Sequence, residues 1–411
     1  MARGDPARAD AHRPPRVLAT ASQVSPTVAG AEPAGGARVA LVHDWLTGMR
    51  GGERCLEVLC ELFPEAPLFT LLHVPGSVTP LIENRRIVTS FVQRLPRAAA
   101  RYRYYLPTFP LAISRFDLSG YDLVVSMSHC VAKGVRVAPR ALHVCYCFSP
   151  MRYVWDLYDD YFGPRGGPAA RVLVPPLAAA LRRWDRRTAG VHRFVAISRH
   201  IADRIRRAYD RPADVIPPPV DVQRFEITDT AEDYYLVVGA LVPYKRIDLA
   251  VGAATRLRRR LVVVGTGPEE ARLRALAGPT VTFLGWRPDA EVAGLYARCR
   301  ALLFPAVEDF GIAPLEAAAA GRPTIALARG GALETMVGLG TPDRAPTAVF
   351  FSEQSVDALV EAIERFEGAA ERFDGKALRA RAESFDRPVF KQRLRDYIGA
   401  RWHEFHARPA C

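Results

Sequence analysis

The strongest constraint on how this chain can fold is a rhythm that runs through it twice. Apolar runs of strand length appear at Arg38–His43, Leu68–His73, Leu123–Met127, His143–Phe148 and Arg193–Ile197, with helical patterns such as Glu53–Phe63 and Arg199–Tyr209 among them. A second series follows at Tyr234–Leu241, Leu261–Gly265, Val281–Gly285, Ala301–Pro305 and Thr324–Ala328. Strands alternating with helices predict a parallel α/β sheet. Between the two series stands Pro217-Pro218-Pro219, a stiff, extended stretch suited to a linker. The expected fold class is therefore α/β, with two Rossmann-like, doubly wound domains facing across a cleft. The expected bounds are 38–220 and 221–385, and 386–411 should hold a last helix, Phe390 to Phe405, packed back on the first domain. At 411 residues the chain exceeds one ordinary core, and two domains of about 180 residues each are expected.

Residues 1–37 are rich in Ala, Pro, Arg and Gly, lack periodicity, and have no continuous apolar core of the signal-peptide kind. They are expected to be a disordered extension. The seven cysteines show no disulfide rhythm and no zinc-type pairing, and are expected to be reduced thiols. No apolar run reaches membrane-spanning length. The net charge of +12 favours anionic partners such as nucleotide sugars, acidic headgroups or nucleic acid.

Parallel sheets bind ligands outside the carboxyl ends of their strands, and several chemically suggestive groups fall there. Glu308-Asp309-Phe310-Gly311-Ile312-Ala313-Pro314-Leu315-Glu316 reads as strand tip, glycine turn and helix start. Glu308 would stand at the tip and Glu316 about one turn into the helix, with backbone N–H groups facing a ligand between them. Two fixed acceptors on a backbone cradle suit a polyhydroxyl ligand. Lys245-Arg246 stands at a strand-to-helix junction, where two cations can grip a diphosphate. Cations there oppose the helix dipole, a cost that an anionic ligand would offset. Gly51-Gly52, before the first helix, would allow close backbone approach to a ligand, although a lone Gly-Gly fits an empty tight loop equally well. Val264-Gly265-Thr266-Gly267-Pro268 suits either a phosphate turn or a plain cleft wall. His129 ends the Leu123–Met127 run, so a site role and a structural role stand about even. Arg152-Tyr153-Val154-Trp155-Asp156, past the His143–Phe148 run, is expected to line the cleft on the acceptor side, through Arg152, Tyr153 and Trp155. Arg94–Phe116 interleaves five arginines with aromatic residues, a pattern that fits either a membrane interface or a solvated basic helix.

Taken together these residues resemble the family 4 glycosyltransferases, retaining enzymes of the GT-B fold. The matching pieces are His43-Asp44-Trp45-Leu46 with Gly51-Gly52-Glu53-Arg54, Ser128 to Gly134, Phe194 to Ser198, Pro217 to Asp221, Leu241 to Arg246, Phe283-Leu284-Gly285 and the Glu308…Glu316 motif. The first and the Met151-Arg152-Tyr153-Val154-Trp155-Asp156 piece look most like an O-antigen mannosyltransferase branch. The resemblance implies that Glu308 holds the hydroxyls of the donor sugar, helped by the backbone of Asp309, Phe310, Gly311 and Ile312. It implies that Glu316 accepts from the ribose, that Lys245 binds the diphosphate opposite Gly51 and Gly52, and that His129 touches the transferred sugar. Gly285, Trp286 and Arg287 would lie against the base. Many relatives carry an arginine five positions before the lysine, and this chain has Ala240 there, so Arg246 is the expected substitute.

The implied reaction needs neither metal nor cofactor. Cations and backbone dipoles would stabilise the leaving diphosphate, and that group would take the acceptor's proton. The expected partners are a nucleotide sugar, with GDP-mannose as the branch guess, and a glycan or lipid-linked acceptor of the cell envelope. A cytoplasmic protein in reversible contact with anionic membrane through Arg94–Phe116 fits this picture. The competing readings are an epimerase- or phosphorylase-like enzyme of the same fold and, more remotely, a basic nucleic-acid-binding protein.

Overall fold

The computed structural model describes residues 34–155, 168–228 and 230–407. Most of the 1–37 extension, Asp156 and Cys411 thus lie outside the described residues. The first sheet has seven parallel strands: β1 (Val39–His43), β2 (Leu68–Thr70), β3 (Ile87–Thr89), β4 (Leu123–Ser128), β5 (Leu142–Cys147), β6 (Arg193–Ala196) and β7 (Asp214–Val215), in the order β3-β2-β1-β4-β5-β6-β7. The second has six: β8 (Tyr235–Val238), β9 (Leu261–Val264), β10 (Val281–Gly285), β11 (Ala301–Phe304), β12 (Thr324–Leu327) and β13 (Ala348–Phe351), in the order β10-β9-β8-β11-β12-β13. Among the described residues every pairing between these strands is parallel, and β4, β5, β11 and β12 are buried along their whole length. Parallel sheets need cover on both faces, which explains the near-continuous apolar runs of these central strands. The fold is that of two α/β parallel-sheet domains, the GT-B architecture. Strands β3, β7 and β13 add to those expected from the sequence.

The two halves share a buried cluster. Leu56 and Leu59 of the helix Gly51–Leu62 and Ile201 and Ile205 of the helix Arg199–Tyr209 belong to it, with Leu315 and Ala318 of the helix Ile312–Ala319. A separate cluster fills the outer face of the second sheet, under the helices Ile247–Leu257 and Val356–Glu367. The last helix begins at Arg387, three residues earlier than the sequence suggested. Asp386 is its N-cap, with Oδ1 accepting from Arg387 N at 2.8 Å, and Pro388 sits in the first turn, where a missing N–H costs nothing. What reads as a breaker is therefore a start signal. The helix crosses to the first domain: Arg387 and Lys391 bond to Glu61 at 2.6 and 2.7 Å, and the Phe390 ring meets Tyr146 edge-on at 5.7 Å.

The Arg94–Phe116 stretch folds as short helical turns whose residues sort by chemistry. Tyr102, Leu106, Phe109, Ile113 and Phe116 point into the core beside Trp45 and Phe69. Arg94, Arg97, Arg101, Arg103 and Arg115 are exposed, and Tyr104 and Leu111 stand out among them at 82% and 52% exposure. Among the described residues no helix is long and apolar enough to cross a membrane. The six described cysteines are free and buried.

Candidate active site

In each sheet the strand order reverses between the first strand and its later neighbour, β1/β4 and β8/β11. Such switch points open a crevice at the carboxyl ends of the strands. In the first domain that crevice is floored by Asp44, directly after β1. Its carboxylate accepts the backbone N–H groups of His129, Cys130, Val131 and Ala132 at 2.7, 2.9, 2.7 and 2.7 Å. The same carboxylate lies 3.1 Å from Nδ1 of His129, and Trp45 packs edge-on against that ring at 4.4 Å. Burial pushes the His129 pKa down, and the Asp44 charge opposes it. In a neutral ring the Nδ1 proton belongs towards the carboxylate, which leaves the Nε2 lone pair as the acceptor for a ligand.

Beside it, buried His43 places Nε2 3.4 Å from Oε1 of buried Glu53, whose Oε2 accepts from Arg50 N at 3.0 Å. Glu53 thereby fixes the turn that carries Gly51 and Gly52. A Cβ on Gly51 would lie 2.9 Å from Cδ1 of Ile312 in the second domain, and one on Gly52 3.4 Å from the Phe148 ring. A side chain at the first glycine would thus press on the tip of Ile312 across the cleft, a contact that the flexible isoleucine can yield.

In the second domain, Glu308 lies in the loop between β11 and the helix Ile312–Ala319. Its carbonyl accepts from Gly331 N at 2.8 Å. Cβ atoms on Gly330 and Gly331 would sit 2.4 Å from Glu308 O and 2.2 Å from Phe310 Cα, so this second Gly-Gly holds the Glu308–Phe310 backbone. Gly311 adopts φ +89°, a left-handed conformation that a Cβ disfavours, and starts the helix. The Lys245 ammonium pairs with the Glu308 carboxylate. Burial pushes the lysine pKa down to about 8, with the Arg152 charge acting in the same direction. Arg246 makes two 3.1 Å bonds to Asp248 in the first turn of its own helix, so an acid already balances this cation against the helix dipole. Gly265 and Gly267 pack their α-carbons onto the backbone of Gly239 and Leu241, so close packing alone accounts for glycine at both positions.

Asp309 is a contact between the domains. Arg152 and Arg204 of the first domain both pair with it, Arg204 at 2.7 Å, and its carbonyl accepts from Ser198 Oγ at 2.6 Å. Ser198 Oγ also caps the helix Arg199–Tyr209 by accepting from Ile201 N at 3.1 Å. Glu334 of the second domain accepts from the N–H groups of Arg199 and His200 at 2.8 and 2.9 Å at the same helix start. A cavity of about 570 Å³ opens here, bounded by Arg152, Arg207, Arg246, Glu308 and Asp309.

The structure thus brings together Glu308, Lys245, Arg246, Asp309 and Arg152. Phe310 turns inward and meets Phe385 edge-on at 5.7 Å, so only its backbone faces the loop. Glu316 sits one turn into its helix, with Tyr296 OH donating to it at 3.0 Å; burial raises its pKa, and the Tyr296 bond and the Arg224 charge oppose that. Gly285 takes φ +71°, and Trp286 after it is 70% exposed. Tyr153 and Trp155 do not line the cavity. Trp155 Nε1 donates to buried Asp185 at 2.8 Å, the partner of Lys133, and belongs to a structural network. Asp44, Ser198, Arg204 and Glu334 received no role from the sequence. Among the described residues no group of three or more His, Cys, Asp or Glu side chains is placed to hold a metal ion.

Residues 49–224 match the family model described as Glycosyltransferase Family 4, and residues 221–374 match Glycosyl transferases group 1. Among curated proteins, the O-antigen chain mannosyltransferase C of Escherichia coli is 38% identical over 23% of this chain and 27% of its own length. A GDP-mannose-dependent alpha-(1-6)-phosphatidylinositol monomannoside mannosyltransferase of Mycobacterium tuberculosis is 31% identical over 46% of this chain and 56% of its own. The matches thus span from about a quarter to just over half of these two relatives. Among solved structures, sucrose-phosphate synthase from Thermosynechococcus elongatus aligns over 90% of this chain and 99% of its own, with a TM-score of 0.63 at 18% identity. WaaG, a glycosyltransferase involved in lipopolysaccharide biosynthesis, aligns over 88% and 99% with a TM-score of 0.60, also at 18%. At such identity these two likenesses establish the fold.

Proposed function

Because this chain belongs to the family 4 and group 1 glycosyltransferases, we propose that it transfers a hexose from a nucleotide-diphosphate sugar to a glycan or lipid-linked acceptor, with retention at the anomeric carbon. The observation that carries this reading is the Lys245–Glu308 pair at the switch point of the second sheet. It sets a cation for the diphosphate beside an acceptor for sugar hydroxyls. Mannose is the proposed sugar and GDP the proposed carrier, supported by relatives whose names specify GDP-mannose.

In this reading the diphosphate lies between Lys245 and the Gly51-Gly52 turn, where a helix N-terminus favours an anion. Displacing Lys245 from Glu308 frees the carboxylate to accept from the sugar. His129, with its Nδ1 proton held towards Asp44, offers Nε2 to another hydroxyl. Charge builds on the leaving diphosphate as the glycosidic bond breaks through an oxocarbenium-like state, and fixed cations stabilise it. The acceptor oxygen attacks from the face the diphosphate leaves, and its proton passes to that phosphate. Neither a metal nor a side-chain base is required. Glu316 accepts from the ribose, and Trp286 lies against the base.

The exposed face formed by Arg94, Arg97, Arg101, Arg103 and Arg115 around Tyr104 and Leu111 supports reversible contact with anionic membrane. That fits a cytoplasmic enzyme of cell-envelope polysaccharide synthesis whose acceptor is lipid-borne. Thermal melts against a nucleotide-sugar panel test the reading. The true donor at a hundred times its dissociation constant adds about 2.7 kcal/mol of stability. A panel in which no nucleotide sugar raises the melting temperature would refute the proposal.

A further inference from the structure

We propose that Arg152, reaching over from the first domain, is the second cation of the diphosphate subsite and joins Lys245 there when the ligand displaces it from Asp309. The assignment rests on reading the cleft as a nucleotide-sugar site. It moves Arg152 from the acceptor side, where the sequence put it, to the leaving group.

In the cleft the acids neutralise the cations. Glu308 holds Lys245, and Asp309 holds both Arg152 and Arg204. Carboxylates thus stand beside the cations that an anionic ligand would need. A diphosphate ester carries more than one negative charge, and Lys245 supplies one positive charge. Arg246 is engaged on both of its bonded nitrogens by Asp248. Arg204 is buried and tied at both ends of its guanidinium, to Asp309 at 2.7 Å and to Ser149 Oγ at 3.1 Å. Arg152 differs from buried Arg204 in keeping 34% of its side-chain surface exposed, and from the equally exposed Arg246 in sharing its acid with a second arginine. It also bounds the same cavity as Glu308 and Arg246.

Moving Arg152 away from Asp309 leaves no buried acid unpaired, because Arg204 remains on it. The charge of Arg152 already reaches Lys245 and disfavours its protonated form. An anion set between the two cations turns that repulsion into joint attraction. A guanidinium fork also suits two phosphate oxygens better than a second ammonium would. Since Arg152 and Lys245 belong to different domains, a diphosphate held by both would bridge the two domains at the leaving group.

Calorimetric titration tests this with the tighter-binding of GDP and UDP, the matching nucleoside monophosphate, and inorganic pyrophosphate. The proteins are the wild type, Arg152→Gln, Arg152→Lys and Arg246→Gln. Arg152→Gln should lose about tenfold or more in affinity for the diphosphate and for pyrophosphate, as expected for a charge-assisted bond. Its affinity for the monophosphate should fall less than about threefold. Arg152→Lys should recover part of the loss, and Arg246→Gln should lose less than Arg152→Gln. Unchanged diphosphate affinity in Arg152→Gln overturns the assignment. So does an equal loss for monophosphate and diphosphate, which would make Arg152 a domain contact only. If the wild type binds none of these ligands, the nucleotide-sugar reading itself falls and takes this assignment with it. Wild-type binding with an unaffected Arg152→Gln sinks the assignment alone.

Discussion

The carboxylate of Asp44 lies 3.1 Å from Nδ1 of His129 and also accepts the backbone N–H of that residue at 2.7 Å, so one buried acid fixes both ends of the histidine. It further holds Cys130, Val131 and Ala132. Asp44→Ala orphans these buried donors and should cost about 3–5 kcal/mol of stability. His129→Ala leaves the backbone bonds in place and should cost far less stability while lowering turnover. Urea melts beside steady-state rates distinguish the two. Comparable stability losses would mean that Asp44 does not organise this loop.

The two glutamates of the second domain should fail differently. Glu308→Gln should lower kcat by about a hundredfold or more, as for loss of a group that acts in the transition state. Glu316→Gln should act chiefly on KM, because the ribose is remote from the reacting carbon. Burial raises the Glu316 pKa, so the native state retains its proton at pH values where the unfolded chain has lost it. Its contribution to stability is therefore present at low pH and lost as pH rises through the raised value. The glutamine variant should be no less stable than the wild type at neutral pH. Small and equal kinetic effects would place the sugar elsewhere.

Lys245 gives the pH dependence of donor binding. Its folded pKa of about 8 lies below the unfolded value of 10.5. Between these values the unfolded chain binds the extra proton, so this group makes stability rise with pH across that window. Diphosphate affinity should run the other way and fall as pH rises through about 8, because the ammonium is lost. Lys245→Arg should remove that fall up to pH values well beyond 8, since arginine stays charged. Lys245→Ala should cost about 2–3 kcal/mol of transition-state stabilisation. A wild-type affinity that stays flat across this range would remove the lysine from the diphosphate.

The basic face should bind vesicles. Sedimentation with anionic vesicles is expected at low salt and should weaken as salt rises. Replacing Arg94, Arg97, Arg101, Arg103 and Arg115 by glutamine should abolish it, and Tyr104→Ser with Leu111→Ser should weaken it. Unchanged sedimentation of the glutamine variant would leave the exposed arginines without this role.

Central strands such as β4 and β11 were legible because burial on both faces makes each a continuous apolar run. β7 was not, because Asp214–Val215 is a two-residue exposed edge, and β3 is three residues long and half-buried. The sequence places the start of the last helix late, because Asp386-Arg387-Pro388 reads as a breaker until the Asp386 cap is seen. Glu308 and Lys245 were legible as residues just past strands, but their pairing joins positions 63 residues apart and leaves no local mark. Arg204 sits on, and Ser198 caps, a helix whose basic pattern looks like solvent surface; Asp309, over a hundred residues away, pairs with the buried Arg204. The Gly330-Gly331 pair after β12 was an available signal, since adjacent glycines past a strand mark a close backbone approach.

The most direct test of the central claim is consumption of GDP-mannose, with UDP-glucose as the alternative donor, by purified protein given membrane lipid extract as acceptor and excess EDTA. The wild type should move labelled sugar into product at a rate that EDTA leaves unchanged, and Glu308→Gln should do so at least about a hundredfold more slowly. If neither nucleotide sugar is consumed, if EDTA stops the reaction and magnesium or manganese restores it, or if Glu308→Gln matches the wild type, the account is contradicted.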